Sequence, residues 1–249
     1  MGMMSFMETT FDDILYGKLK MRQPLYGPRV SVDTVLLSWF VRLKQSDRVM
    51  ELGTASGGIS LILAKRWPKV ASITAIDIQE ELIGMARENA EINGLSARVT
   101  FEVGDIKNIS ALWPTQSFDV VVVNPPYNEI AESRVSPKRN VAISRQGIAC
   151  TLEDVVRASF YLLKDRGKLY MVLKASRLSE LCCLLEKNRM PLKRLKVVYP
   201  KPKAEASVIL AEARRNAGKG VKVEPPLCIC DESGSYTPEL ISAYEIGDR

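Results

Sequence analysis

From residue 47 onward, the spacing of apolar and polar positions switches repeatedly between strand-like and helix-like. Arg48–Leu52 (RVMEL), Ser72–Ile78 (SITAIDI), Val99–Val103, Phe118–Val123 (FDVVVV) and Lys168–Leu173 (KLYMVL) are short, largely apolar runs. The unbroken valines of FDVVVV predict a strand buried on both faces. Helix-like stretches lie between them. Ser60–Arg66 stops near Pro68, and Glu80–Asn93 is amphipathic and closed by Asn93-Gly94. Thr151-Leu152-Glu153-Asp154 reads as an N-cap opening a helix through Leu163, and Ser176–Lys187 reads as another. This alternation predicts an α/β fold whose mostly parallel sheet has right-handed crossovers and helices on both faces. Two late strands, Lys193–Tyr199 and Ser207–Ala213, have only a short link and complete a seven-stranded sheet as an antiparallel edge hairpin.

The front segment, residues 1–46, precedes this core of residues 47–215, and residues 216–249 follow as a Gly/Pro-punctuated tail. In the front segment, Asp33 is expected to cap a helix (SVDTVLLSWF) whose apolar face covers the sheet, so that the segment acts as a lid.

The chain has 249 residues, 46% hydrophobic and 26% charged, which suits a folded core and neither disorder nor a membrane span. The start, MGMMSFMETTFDD, has no basic region followed by an apolar core and does not read as a secretory signal. Lys and Arg number 35 against 29 Asp and Glu, a net charge of +6 that suits a polyanionic partner. Five cysteines without a C-x-x-C pair point to a reducing, cytoplasmic setting. With no histidine, a zinc site is not expected and the usual base of a Ser-His or Cys-His hydrolase is missing.

In a doubly wound sheet, ligands sit at the carboxyl ends of the strands. Glu51, Asp77 and Asp105 fall at three such ends. Between the first strand and its helix lies Glu51-x-Gly53-Thr54-Ala55-x-Gly57-Gly58, whose glycines let a ligand approach the backbone. Asp77 is placed to accept both hydroxyls of a ribose and Asp105 to accept an adenine amino group. Ile78 and Ile106 follow these acids and could sandwich the purine. A dinucleotide and S-adenosylmethionine both fit this pattern in outline. The spacing Gly53-x-x-x-Gly57 fails the G-x-G-x-x-G fingerprint, whereas a sulfonium needs no pyrophosphate cradle.

Asn124-Pro125-Pro126-Tyr127 ends the fourth strand. Its two prolines stiffen the backbone. The Asn124 side-chain oxygen and the Pro125 carbonyl are two fixed acceptors for the two N–H bonds of an exocyclic amine, while Tyr127 offers a stacking face. No strong base is needed, because the amine proton becomes acidic once a methyl group has been added. With the cofactor contacts Glu51, Gly53, Thr54, Ala55, Gly57, Asp77, Ile78, Asp105, Ile106 and Asn124, these four residues form the expected site.

Residues 48–127 resemble a class I S-adenosylmethionine-dependent methyltransferase of the N6-adenine type, with a Rossmann-like fold. Gln23-Pro24, Arg29-Val-Ser-Val-Asp33, the NPPY motif, Ser144-Arg145 and the tail KPKAEASVILAEARRNAGKG extend the likeness over nearly the whole chain. These features resemble the bacterial tRNA1(Val) adenine-37 N6-methyltransferase family. The resemblance implies Asn124 to Tyr127 as the catalytic loop and Glu51, Gly53, Asp77 and Asp105 as cofactor contacts.

Arg134, Lys138, Arg139 and Arg145 follow this motif and are expected to meet RNA phosphates, those of tRNA in the family reading, around an adenine taken out of its stack. A second basic run, from Lys187 to Lys203, reads equally as solvated surface charge. An N5-glutamine protein methyltransferase also uses NPPY, but resembles this core with a larger helical domain in front. A guanine-N2 ribosomal RNA methyltransferase and a non-catalytic RNA-binding module are further alternatives.

Overall fold

The structure is a computed structural model that describes residues 7–125 and 150–246. Its central sheet takes strands β3 (Arg48–Leu52), β4 (Ser72–Asp77), β5 (Val99–Val103), β6 (Phe118–Val123), β7 (Leu163–Lys174), β8 (Leu192–Tyr199) and β9 (Val208–Arg214). β3 pairs in parallel with β4 on one side and β6 on the other, so the strand order reverses at β3. β4 continues to β5, and β6 to β7, all in parallel. The valines of β6 divide between two cores. Val120 and Val122 join the cluster under α1 (Val32–Phe40), α2 (Gly58–Arg66) and α3 (Glu80–Ile92). Val121 and Val123 join the cluster under α5 (Leu152–Leu162) and α6 (Leu178–Lys187). A period of two in a strand covered on both sides produces this division. A short α4 (Ile109–Leu112) follows a 3-10 turn at Ile106–Asn108.

Several boundaries differ from the sequence reading. Leu163 opens β7 instead of closing the preceding helix, and a 3-10 turn at Ala175–Arg177 precedes α6. The antiparallel hairpin is present, but β9 lies inside it, between β7 and β8, and is antiparallel to both. Nor is β8 the outermost strand. The tail supplies β10 (Lys222–Val223) and β11 (Leu227–Cys228), which pair with β8 in parallel and bring the sheet to nine strands. Such two-residue strands carry too little pattern to be seen in sequence.

The front segment also holds strands that the sequence reading did not expect. β1 (Thr9–Ile14) and β2 (Leu19–Pro24) form a separate antiparallel hairpin. α3 satisfies the outer edge of β2 with side chains. Asn89 accepts from the Arg22 N–H at 2.7 Å and donates to the Arg22 carbonyl at 2.9 Å. One turn on, Asn93 does the same for Lys20 at 3.0 and 2.7 Å. Two amides four residues apart on a helix face thus replace a neighbouring strand. α1 is capped by Ser31 rather than Asp33, with Thr34 closing a reciprocal capping box. Asp33 lies inside the first turn, where its charge favours the helix dipole. The tail ends in α7 (Pro238–Tyr244), and Arg66 of α2 donates to the carbonyls of Ala243 and Glu245. Among the described residues, no helix is long and apolar enough to cross a membrane.

Candidate active site

The reversal at β3 places a crevice at the carboxyl ends of β3 and β6. Leu52 pairs with both Ile76 and Val123, so Gly53, Asp77 and Asn124 stand side by side one residue beyond the ladder. β5 continues this row, because Asp77 pairs with Val103, two residues before Asp105.

The turn after β3 is fixed by its own backbone. Gly53 N–H and Thr54 N–H both donate to the Ile76 carbonyl at 2.9 Å, and Gly57 N–H donates to the Thr54 carbonyl at 2.9 Å. Gly53 has φ +76° and Gly57 φ +91°. A Cβ at Gly57 would come within 3.0 Å of the Phe101 ring, whereas one at Gly53 would meet nothing within 4 Å. Gly57 is therefore required by packing, and Gly53 leaves open space over its backbone. Ala55 holds φ +49° between them, a strained conformation for a residue with a side chain.

Each acid at a strand end has a different environment. Asp77, 8% exposed, accepts from Ala55 N–H at 2.9 Å through Oδ2 and from Gln79 N–H at 3.0 Å through Oδ1. Each oxygen retains a lone pair for a ligand. Asp105 caps the 3-10 turn through Lys107 N–H at 2.9 Å and is only half-buried. Ile78 is exposed, and Ile106 packs partly into the second core.

Glu51 differs from both. It is fully buried, and its Oε2 accepts from Thr54 Oγ1 at 2.8 Å, from Ser60 N–H at 3.0 Å and from Ser60 Oγ. Burial pushes its carboxyl up to about 7, while the Ser60 and Thr54 bonds pull the other way. Oε2 thus ties the end of β3 to the first turns of α2. Sequence reading missed these partners, although Ser60 follows Glu51 at a spacing that brings it back over the strand end.

Asn124 presents the opposite case. Its Oδ1 is buried and has no hydrogen-bond partner among the described residues. A buried acceptor left bare costs about 1–3 kcal/mol, which makes it a receptor for an incoming donor. Pro125 beside it is buried. Pro126, Tyr127, Arg134, Lys138, Arg139 and Arg145 lie outside the described residues.

The second basic run is neither a solvated face nor a free phosphate surface at its centre. Arg194 pairs with Glu212 at 2.7 Å and Glu224 at 2.9 Å and stacks over Phe40 at 4.2 Å. Lys196 is 4% exposed, pairs with Glu239 at 2.8 Å and donates to the Pro225 carbonyl. These cations bind the tail and α1 to β8. Lys187 pairs with Glu153 and Arg189 stacks on Phe160, while Lys201 remains exposed.

The profile of a family described as "Methyltransferase domain" matches residues 43–190. A protein of Porphyromonas gingivalis named tRNA1(Val) (adenine(37)-N6)-methyltransferase is 30% identical over 226 residues, covering 87% of each chain. One of the same name from Trichodesmium erythraeum is 28% identical and covers 91% of this chain and 93% of its own. Among solved structures, a predicted O-methyltransferase from Agrobacterium tumefaciens shares the fold with a TM-score of 0.70 at 21% identity, covering 87% of this chain and 99% of that one. TrmN from Thermus thermophilus shares it with a TM-score of 0.51 at 21% identity, over 73% of this chain and 48% of that one. A class I, Rossmann-like methyltransferase fold with an acceptor held bare at its switch point agrees with these likenesses, and the chain belongs to the methyltransferase-domain family and, within it, to the family named tRNA1(Val) (adenine(37)-N6)-methyltransferase.

Proposed function

We propose that this chain methylates N6 of an adenine in tRNA, with S-adenosylmethionine as donor. The observation that carries this reading is the buried, unpartnered Oδ1 of Asn124 at the strand-order switch. The residues present fit the cofactor. Open space stands over the Gly53 backbone, and Asp77 retains a free lone pair on each oxygen for the ribose hydroxyls. Thr54, Ala55 and Gly57 shape the turn, Asp105 faces the adenine amino group, and Ile78 and Ile106 flank the purine. Glu51 acts through this turn as a positioning residue. When bound, S-adenosylmethionine supplies an electrophilic methyl group.

Asn124 Oδ1 accepts one N–H of the substrate amine and the Pro125 carbonyl accepts the other. Two acceptors draw the amine lone pair out of ring conjugation and fix the nitrogen's orientation. Positioning of this kind lowers a barrier by roughly 7–11 kcal/mol. Tyr127 stacks on the base, Pro126 stiffens the loop, and the released proton passes to water without a histidine. Residues 1–46 serve as a lid over the core of residues 47–215, with the 216–249 tail packed against it. The enzyme works in the cytoplasm, where its five cysteines stay reduced.

The test is transfer from labelled S-adenosylmethionine to a tRNA1(Val) transcript, followed by nucleoside analysis. Recovery of N6-methyladenosine is expected. Label in protein glutamine or in guanosine would overturn the reading in favour of the N5-glutamine or guanine-N2 alternative. Charge reversal at Arg134, Lys138 and Arg139 together should weaken tRNA binding and flatten its salt dependence, with cofactor affinity unchanged. A triple variant with the wild-type salt slope would remove these residues from the RNA surface.

A further inference from the structure

Between β2 and α1 the chain makes a short arc, residues 25–30, with the sequence LYGPRV. At its tip Tyr26 is 80% exposed and Leu25 39%. A single exposed tyrosine is unremarkable on a protein surface. The way this arc is held sets it apart. Arg29 donates through Nη2 to Asp12 at 2.7 Å and through Nη1 to the Pro24 carbonyl and Thr10 Oγ1, each at 2.8 Å. Gln23, 2% exposed, donates to Asp12 at 2.8 Å and accepts from Val30 N–H at 2.7 Å. Leu25 N–H donates to the Glu8 carbonyl at 2.7 Å. The arc is thus closed at both ends by a buried amide and an ion pair, and Pro28 stiffens its middle.

Both ends also rest on the turn that faces the cofactor site. Val30 packs so closely on Gly58, the first residue of α2, that a Cβ there would lie 2.7 Å from Val30 Cγ2. At the other end, Asn89 bridges the Arg22 carbonyl and the Ser56 carbonyl. Tyr26 is four residues from Val30, so its Cα lies at most about 14 Å from that of Val30. The braced arc is therefore anchored at both flanks to the Gly53–Gly58 turn and exposes the Tyr26 ring to solvent. The one cation of the arc, Arg29, is neutralised by Asp12, so the arc offers a stacking surface rather than a charged one.

We infer that this arc presents Tyr26 as a stacking face for a base of the RNA substrate, beside the base that enters the Asn124 site. The inference rests on the proposed function. Bases stack on exposed tyrosines irrespective of sequence, and a pre-braced loop loses little entropy in doing so. Leu25 widens the apolar platform. Arg29 and Gln23 are positioning residues that hold it.

The experiment compares wild type, Tyr26→Ala and Tyr26→Phe in the full-length protein. Each is measured for anisotropy with a labelled tRNA1(Val) transcript, for calorimetric affinity for S-adenosylmethionine, and for kcat and KM. Tyr26→Ala is expected to weaken tRNA binding roughly 5- to 150-fold. KM should rise with it, kcat should change little, and cofactor affinity should not change. Tyr26→Phe, which keeps the ring, should restore wild-type binding. If Tyr26→Ala binds tRNA as wild type does while wild type forms N6-methyladenosine, the inference is wrong and the proposed function stands. If wild type forms none, the proposed function itself fails. If Tyr26→Ala only converts a dimer to a monomer in sedimentation, the face belongs to a contact between copies and the inference is overturned.

Discussion

The carboxyl ends of β3 and β4 and that of β6 lie next to each other but treat their polar groups in opposite ways. Oε2 of Glu51 is engaged by three protein donors, and each oxygen of Asp77 by one backbone N–H. Asn124 Oδ1 has none among the described residues. On the first side the acids act as internal scaffolding and hold a strained turn in shape before any ligand arrives. On the second, a cost is carried in the fold until a substrate donor removes it. Preorganisation and readiness are thus assigned to different strands, and substitutions at the two ends should fail differently.

The largest effect is expected at Asn124. Asn124→Ala should lower single-turnover methyl transfer a hundredfold to a thousandfold while leaving cofactor affinity nearly intact. It should melt no lower than wild type, because it deletes a buried acceptor that has no protein partner. Asn124→Asp, which keeps an oxygen, should be milder. An Ala variant that retains more than a tenth of the wild-type rate would make the β6 end structural too and erase the contrast.

At Asp77 the failure should be mixed. Asp77→Ala removes ligand bonds worth about 1.5–3 kcal/mol each, a loss of at least tenfold in cofactor affinity. It should also lower the melting temperature, because Ala55 N–H and Gln79 N–H lose their acceptor. Calorimetry with unchanged affinity would leave Asp77 as scaffold alone.

Glu51 sharpens the comparison through pH. The fold holds its proton up to about pH 7, whereas the unfolded chain releases it near 4.5. This group therefore makes the protein less stable as pH rises from 4.5 to 7, by at most about 3 kcal/mol, and has no further effect above that. Glu51→Gln cannot ionise, so its stability relative to wild type should climb across that window in denaturant titrations. A parallel pair of stability–pH curves would refute the burial argument.

The smallest effect concerns Ala55. At φ +49°, Ala55→Gly relieves strain of about 1–2 kcal/mol and loses part of it again to unfolded-chain entropy. A net gain of about 0.5 kcal/mol is expected in urea unfolding, with Asp77→Ala removing most of it.

Sequence alone revealed the parts of this contrast that depend on strong local pattern. FDVVVV, SITAIDI and RVMEL are apolar enough to be strands in any context, and Gly53, Asp77 and Asn124 follow once their ends are placed. The front hairpin was hidden because TTFDDI and LKMRQP are short and mixed, and because the edge of β2 is completed by Asn89 and Asn93, far along the chain. A buried polar residue on the apolar stripe of α3 was the only hint. The tail strands were hidden by length. Arg194 and Lys196 read as surface charge because their partners, Glu212, Glu224 and Glu239, are remote in sequence.

The inserted position of β9 has a consequence for how this chain is made. β8 leaves the ribosome before β9, yet it has no place in the sheet until β9 supplies the strand between it and β7. Until residues 208–214 emerge, β7 presents an open hydrogen-bonding edge with its apolar run from Leu169 to Leu173 exposed to any neighbouring nascent chain. A stalled or truncated product ending before β9 should therefore be sticky and short-lived, whereas one ending just past Arg214 should close the β7 edge but still lack Leu227, Leu240, Glu224 and Glu239, which complete the core and pair the cations of β8.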